Sequence, residues 1–173
     1  PFKKQLASVA EEYQEGALYQ FVKKKIDNAQ VLYEEERVFP EISPRNSAGD
    51  SLSIAAWDDQ EALLIVFWAS FNSGSIKDVQ TVQALSPALR KLKVQPIYLS
   101  WEKDFDLWEE NSAKLGISSH SYLLNKAHTA IFTRDFKVFQ LPHFMVVDAR
   151  SRTILSSSFI QPYQDGFLDE LKK

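Results

Sequence analysis

The sequence predicts an α/β domain built on a mixed sheet covered on both faces, and three observations carry that expectation. Seven consecutive apolar residues, Ala62-Leu63-Leu64-Ile65-Val66-Phe67-Trp68, are too continuous for a strand with one wet face and read as a central strand buried on both. Strand-like and helix-like stretches then alternate through Pro96–Leu99 and Asp104–Lys114. Finally, Phe144-Met145-Val146-Val147 and Thr153-Ile154-Leu155 flank the turn Asp148-Ala149-Arg150-Ser151, which adds an antiparallel hairpin to the order.

The chain divides into two parts. Residues 1–37 carry Leu6, Val9, Tyr13, Ala17, Phe21 and Ile26 at spacings of three to five, a helical stripe, with Glu11, Glu12, Gln14 and Lys23 to Lys25 off it. Gly16 weakens the pattern and can split it into two helices. This segment is expected to dock by its stripe on the main domain, on a partner or in a dimer.

Residues 38–173 hold the α/β domain. Phe39-Pro40-Glu41-Ile42 reads as an extended entry, Ala48-Gly49-Asp50 as a turn, and a short strand is expected through Leu52 and Ile54. A polar elbow, Ser70 to Ser75, follows the buried strand and leads into a long helix from Ser75 to Leu92. Val79, Val82, Leu85 and Leu89 share one face of it, and Pro87 should kink or divide it. The helix over Asp104 to Lys114 is expected to turn Phe105, Leu107 and Trp108 inward, with Gly116 just past its end. A short helix is expected over Lys126 to Arg134 and a closing helix over Gln164 to Lys172.

Composition narrows the function. With 173 residues, 45% hydrophobic and 25% charged, the chain suits one domain plus a short extra segment and can bury a core without disulfides or metals. A net charge of -3 with no dominant basic stripe gives no reason to expect a nucleic-acid partner. The runs Lys23-Lys24-Lys25 and Glu34-Glu35-Glu36 read as solvated helix surface. The absence of cysteine excludes a disulfide, a thiolate ligand, a catalytic thiol and a lipidated cysteine within this chain. The longest apolar run, Ala62 to Ala69, is too short to cross a membrane. The chain opens at Pro1 and not at Met, as expected of a processed or trimmed form, which leaves room for a signal peptide or a membrane tether upstream.

No metal or cofactor is expected. His120, His128 and His143 lack a metal-ligand rhythm, and no phosphate-binding glycine loop is present. Ser70, Ser73 or Ser75 with His143 has neither a Gly-x-Ser-x-Gly elbow nor an evident third member, so a hydrolase is not expected. Trp101 and Trp108 read as core or core edge.

Phe67-Trp68-Ala69-Ser70-Phe71 follows the buried strand and precedes the long helix. Leu141-Pro142-His143-Phe144-Met145-Val146-Val147-Asp148 sets a proline ahead of a strand that ends in Asp before a turn. In that order the two resemble thioredoxin-like proteins, where a Phe-Trp-Ala-x-Trp segment leads into Cys-x-x-Cys and a cis-proline precedes a later strand. The lead-in from Phe39 to Val66 resembles the bacterial envelope TlpA-like branch. The resemblance spans residues 38–173. It implies a thioredoxin-like three-layer α/β/α domain, a cis Leu141–Pro142 bond and an extracytoplasmic, periplasmic setting.

The departures from that pattern carry the functional expectation. Asn72-Ser73-Gly74-Ser75 stands where the family has Cys-x-x-Cys. Thiol–disulfide exchange needs a thiolate to attack and a second thiol to resolve the mixed disulfide, and neither is present. Val66 stands where small thioredoxins bury an acid, and Asp78 matches an acidic position of the TlpA-like branch; its plain reading is an acid in the first turn of a helix, favoured by the dipole. Asn72 or Ser73 is suited to cap the helix. Alternatively, the same end of the helix faces a groove bordered by Phe71, Asn72, Leu141 and Pro142, where family members offer the backbone beside the cis-proline to an extended peptide. Two functions stay open. One is a redox-inactive binding or scaffold domain that holds a peptide or protein partner. The other is a thiol–disulfide oxidoreductase or peroxidase-related enzyme of the same family.

Overall fold

A computed structural model describes residues 37–158. The expected amino-terminal helices and the closing helix over Gln164 to Lys172 lie outside the described residues. After an extended entry and a 3-10 turn at Ile54–Trp57, the order is β1 (Ala62–Trp68), α1 (Ser73–Ala84), α2 (Ser86–Lys91), β2 (Val94–Ser100), α3 (Phe105–Lys114), β3 (Ser121–Leu123), α4 (Lys126–Phe136), β4 (His143–Asp148) and β5 (Ile154–Ser158). The strands form one sheet in the order β3-β2-β1-β4-β5. β1 runs parallel to β2 and β2 to β3, whereas β4 is antiparallel to both β1 and β5.

Every residue of β1 is buried because the strand is central and both faces of the sheet are covered. Leu63, Ile65 and Phe67 face a cluster with Phe132 and Phe136 of α4, Phe39 and Leu52. Leu64, Val66 and Trp68 face the opposite cluster, with Val79 and Val82 of α1, Leu89 of α2 and Trp108 of α3. The period-two alternation of a strand thus sends a continuous apolar run into two separate cores. The result is a three-layer α/β/α domain with a mixed central sheet.

Several elements differ from their expected form. The long helix is two: α1 begins at Ser73 and ends at Ala84, and after Leu85 α2 restarts with Pro87 in its first turn. Proline cannot donate a backbone hydrogen bond, so it fits a first turn and not a helix interior. The segment through Leu52 and Ile54 is not a strand. Arg45 and Ser51 make one isolated bridge, Leu52 N donates to Pro44 O, and Ile54 opens the 3-10 turn. Of the three apolar residues of α3 expected inward only Trp108 is buried; Phe105 and Leu107 are 50% and 48% exposed. Phe105 instead lays its edge against Trp108, with ring centroids 5.3 Å apart. α4 runs past Arg134 to Phe136 and ends on Lys137 at φ 58° without a glycine. Strand β3 has no counterpart among the sequence expectations.

Candidate functional site

The parallel strands β1, β2 and β3 all end at one edge of the sheet, and antiparallel β4 begins there. Phe67 pairs with His143 and Trp68 with Ser100. This register brings the elbow after β1 against the loop before β4. The elbow is a tight turn in which Asn72 N donates to Ala69 O at 3.2 Å. Asn72 then caps α1: its backbone is extended and its Oδ1 accepts from Ser75 N at 2.9 Å. The same amide's Nδ2 donates to Leu141 O at 3.1 Å. One side chain therefore closes the helix end and ties it to the proline loop.

The Leu141–Pro142 peptide is cis. A Cβ at Gly74 would stand 3.1 Å from Asn72 Oδ1 and 3.6 Å from Pro142 Cδ, so glycine leaves room for the cap and the proline together. Phe71 is 70% exposed at the lip of the elbow. Ser73 and Gly74 are exposed, and Leu141 and Pro142 are half-buried. Among the described residues, the amide N–H of Leu141 has no hydrogen-bond partner.

Ser75 and Asp78 lie on the buried face of α1. Asp78 corrects the expectation of a solvated first-turn acid. Because α1 starts at Ser73, Asp78 falls in the second turn, one turn ahead of Val82 on the side facing the sheet. Burial pushes its carboxyl up to about 6, against a smaller opposing pull from the Lys77 ammonium. Its Oδ2, the Ser75 Oγ and the Trp68 Nε1 are all sealed without a hydrogen-bond partner.

The serine–histidine combinations do not form at the elbow. His143 Nε2 lies 2.8 Å from Ser157 Oγ across the β4–β5 pair, and burial lowers the imidazole to about 4, which keeps it neutral at neutral pH. Among the described residues no cluster of histidine and carboxylate side chains has metal-ligating geometry.

One side chain went unnoticed in the sequence. Ser70 donates both its backbone N–H, at 3.1 Å, and its hydroxyl to Glu102 Oε2. Glu102, two residues past the end of β2, is only 8% exposed. It lines a cavity of about 800 Å3 that opens beside Phe71 and Trp101, a cavity that neither Leu141 nor Pro142 touches. In sequence, Trp101-Glu102-Lys103-Asp104 looks like a charged loop. The position at the carboxyl end of a central parallel strand is the signal that could have marked it, since ligands of α/β sheets collect there.

No family model matches the sequence, and no curated protein does either. The fold is that of thioredoxin, and the solved structures it is similar to are thioredoxin-fold thiol–disulfide oxidoreductases. A thiol–disulfide oxidoreductase from Bacteroides fragilis is 22% identical with a TM-score of 0.64, over 78% of this chain and 99% of that one. The thioredoxin domain of a thiol–disulfide oxidoreductase from Bacteroides vulgatus is 18% identical with a TM-score of 0.64, over 79% and 91%. A protein described as a putative thiol:disulfide interchange protein DsbE, from Chlorobium tepidum, is 13% identical with a TM-score of 0.60, over 72% and 84%. Identities this low establish the shared fold, and the chain departs from the chemistry in those names by holding no cysteine.

Proposed function

We propose that this chain is a redox-inactive thioredoxin-fold domain that holds an extended peptide or protein segment at the groove between Phe71, Asn72, Leu141 and Pro142. Asn72-Ser73-Gly74-Ser75 occupies the place of a lost Cys-x-x-Cys, and the setting is extracytoplasmic, in the periplasm, as the resemblance to the TlpA-like branch implies. The observation that carries the reading is the pairing at Leu141. Its carbonyl is fixed by the Asn72 amide, its N–H has no partner among the described residues, and the neighbour of Asn72 in the chain, Phe71, is exposed. An unpaired main-chain donor and an exposed apolar lip suit strand-like addition of a peptide, which recruits main-chain hydrogen bonds for affinity and side-chain contacts for selection.

The test is a titration of isotope-labelled protein with a panel of capped extended pentapeptides, followed by amide resonances. The expected result is a saturable shift centred on Phe71 to Ser75 and Leu141, weakened about tenfold or more by Phe71→Ala. A panel that moves no resonance there sinks the groove. In a parallel assay with dithiothreitol and insulin the protein should add nothing to the background rate; dose-dependent turnover would overturn the redox-inactive reading. Fractionation of cells expressing the native gene checks the periplasmic placement.

A further inference from the structure

Glu102 is a carboxylate 8% exposed, yet among the described residues no lysine, arginine or histidine forms an ion pair with it. Acidic side chains are rarely buried that far unless something offsets the charge, because desolvation disfavours the ionised form. Ser70 supplies two hydrogen bonds, both to Oε2, and among the described residues none is donated to Oε1. Oε1 is also not among the sealed polar atoms, so it remains open. Tying the elbow down explains an acceptor at this position, but a neutral glutamine carbonyl can also accept from Ser70. The negative charge is the part that this structural role leaves unexplained.

The surroundings say what would use it. Glu102 lines a cavity of about 800 Å3 whose lining also includes Phe71, Trp101, Leu123 and Leu124. That volume falls within the range of small-ligand pockets, which are mostly apolar with a few placed polar groups. Aromatic faces beside a carboxylate favour a cation, since ring quadrupole and carboxylate attract it together. The cavity opens where the carboxyl ends of β2 and β3 meet the start of α4, the end of the sheet at which α/β folds hold ligands. Lys103 and Lys126 also line it. Neither pairs with Glu102, and their long stems let the ammonium groups stay in water while Ser70 holds the carboxylate in place.

We propose that this cavity binds an organic cation, a primary ammonium or guanidinium on an apolar stem, with Glu102 as its counter-ion. The same chemistry is offered by a free amine and by a lysine or arginine side chain of a bound protein. The inference does not depend on the peptide groove, which shares only Phe71 with the cavity lining; Asn72, Leu141 and Pro142 lie outside it.

The test uses the full chain and two pairs of probes. The first pair is 3-phenylpropylamine and its neutral counterpart 3-phenylpropanol. The second is a capped arginine peptide and the same peptide with citrulline. Dissociation constants come from titrations that follow the Trp101 indole N–H and the amides of Leu124 to Ala130. In at least one pair the cationic member should bind about tenfold more tightly, about 1.4 kcal/mol. Glu102→Gln, which keeps the acceptor for Ser70, should erase that preference without lowering the melting temperature. Ala130→Phe, placed on an exposed cavity-lining position of α4, should weaken both members of the pair. A preference confined to the amine makes the source a small molecule; one confined to the arginine peptide makes it a protein side chain. The proposal falls if neither cation is preferred, if the preference survives Glu102→Gln in folded protein, or if no cavity resonance moves. Shifts at Leu141 that ignore Glu102 would report the peptide groove instead, so the two readings can fail separately.

Discussion

Asp78 shows how a shift of helix start by two residues changes what a side chain is. Counted from Ser75 it belongs to the first turn, where an acid meets water and the helix dipole; counted from the observed start at Ser73 it faces the core. Its folded pKa of about 6 lies above the ordinary 3.8, so between those values the native state binds more protons than the unfolded chain. Stability therefore falls as pH rises through that window. His143 acts in the opposite sense: lowered from 6.5 to about 4, it makes the unfolded chain the better proton binder, and stability rises with pH there. The two slopes offset each other over much of the same range, so the wild-type profile alone would conceal both. Comparing Asp78→Asn with wild type isolates the carboxyl. The variant should match wild type near about pH 4 and exceed it by up to about 3 kcal/mol near neutrality. Urea unfolding at several pH values measures this, and a stability difference that does not change with pH would show that Asp78 is not strained by burial. The sequence marked Asp78 as notable but could not tell its environment, because the start of α1 rests on the Asn72 cap and the preceding turn.

Among the elements, those with long apolar runs were legible and the short or polar ones were not. β1 was readable because central placement requires seven buried residues in a row. β3 was not, since three residues, Ser121-Tyr122-Leu123, carry no period of their own and pair only with Tyr98 to Ser100 of β2 and, in one isolated bridge at Leu123, with Arg45. Its serine nevertheless anchors α3. Trp108 Nε1 donates to Ser121 Oγ at 2.9 Å, and Ser112 Oγ lies 2.9 Å from the same oxygen, all three residues buried. This hydrogen bonding explains why Trp108 turns inward while Phe105 and Leu107, near the amino end of α3, stay at the surface. Ser121→Ala would leave the indole N–H and the Ser112 hydroxyl without their shared partner, a loss of about 1–3 kcal/mol. Adding Ser112→Ala and Trp108→Phe should recover part of it, because removing all polar members costs less than stranding one. Chemical denaturation of the series measures this; equal stability of Ser121→Ala and wild type would mean that the contact between β3 and α3 is held by packing alone.

At the scale of the molecule, the sheet order gathers the elbow, the proline loop and the Glu102 cavity at one end. The first two were legible through a resemblance in residue order, whereas the third depends on residues from the elbow, the loop after β2, β3 and α4 that nothing in the sequence groups together. The reading of the elbow as a degenerate redox site depends on register, and register can be tested chemically. Asn72 caps α1 and Ser75 is the third helical residue, with Asn72 Oδ1 already 2.9 Å from Ser75 N. An N-cap side chain and the residue three further on approach closely, within reach of a disulfide, whose Cα atoms are usually about 4.4–6.8 Å apart. The double change Asn72→Cys with Ser75→Cys should therefore form an internal disulfide under mild oxidation. The first thiol should be the more acidic, since the helix amino terminus favours its thiolate and the second would be sealed at the position of the fully buried Ser75. A pair shifted by one, Ser73→Cys with Ile76→Cys, should bridge less readily, because both residues are already inside the helix and Ile76 packs against the core. Intact mass before and after reduction reads the bridge, and alkylation rate against pH reads the thiol. Ready bridging of the shifted pair with the first pair left reduced would move the register by one residue. Failure of both would remove the redox-site ancestry of the elbow while leaving the thioredoxin fold in place.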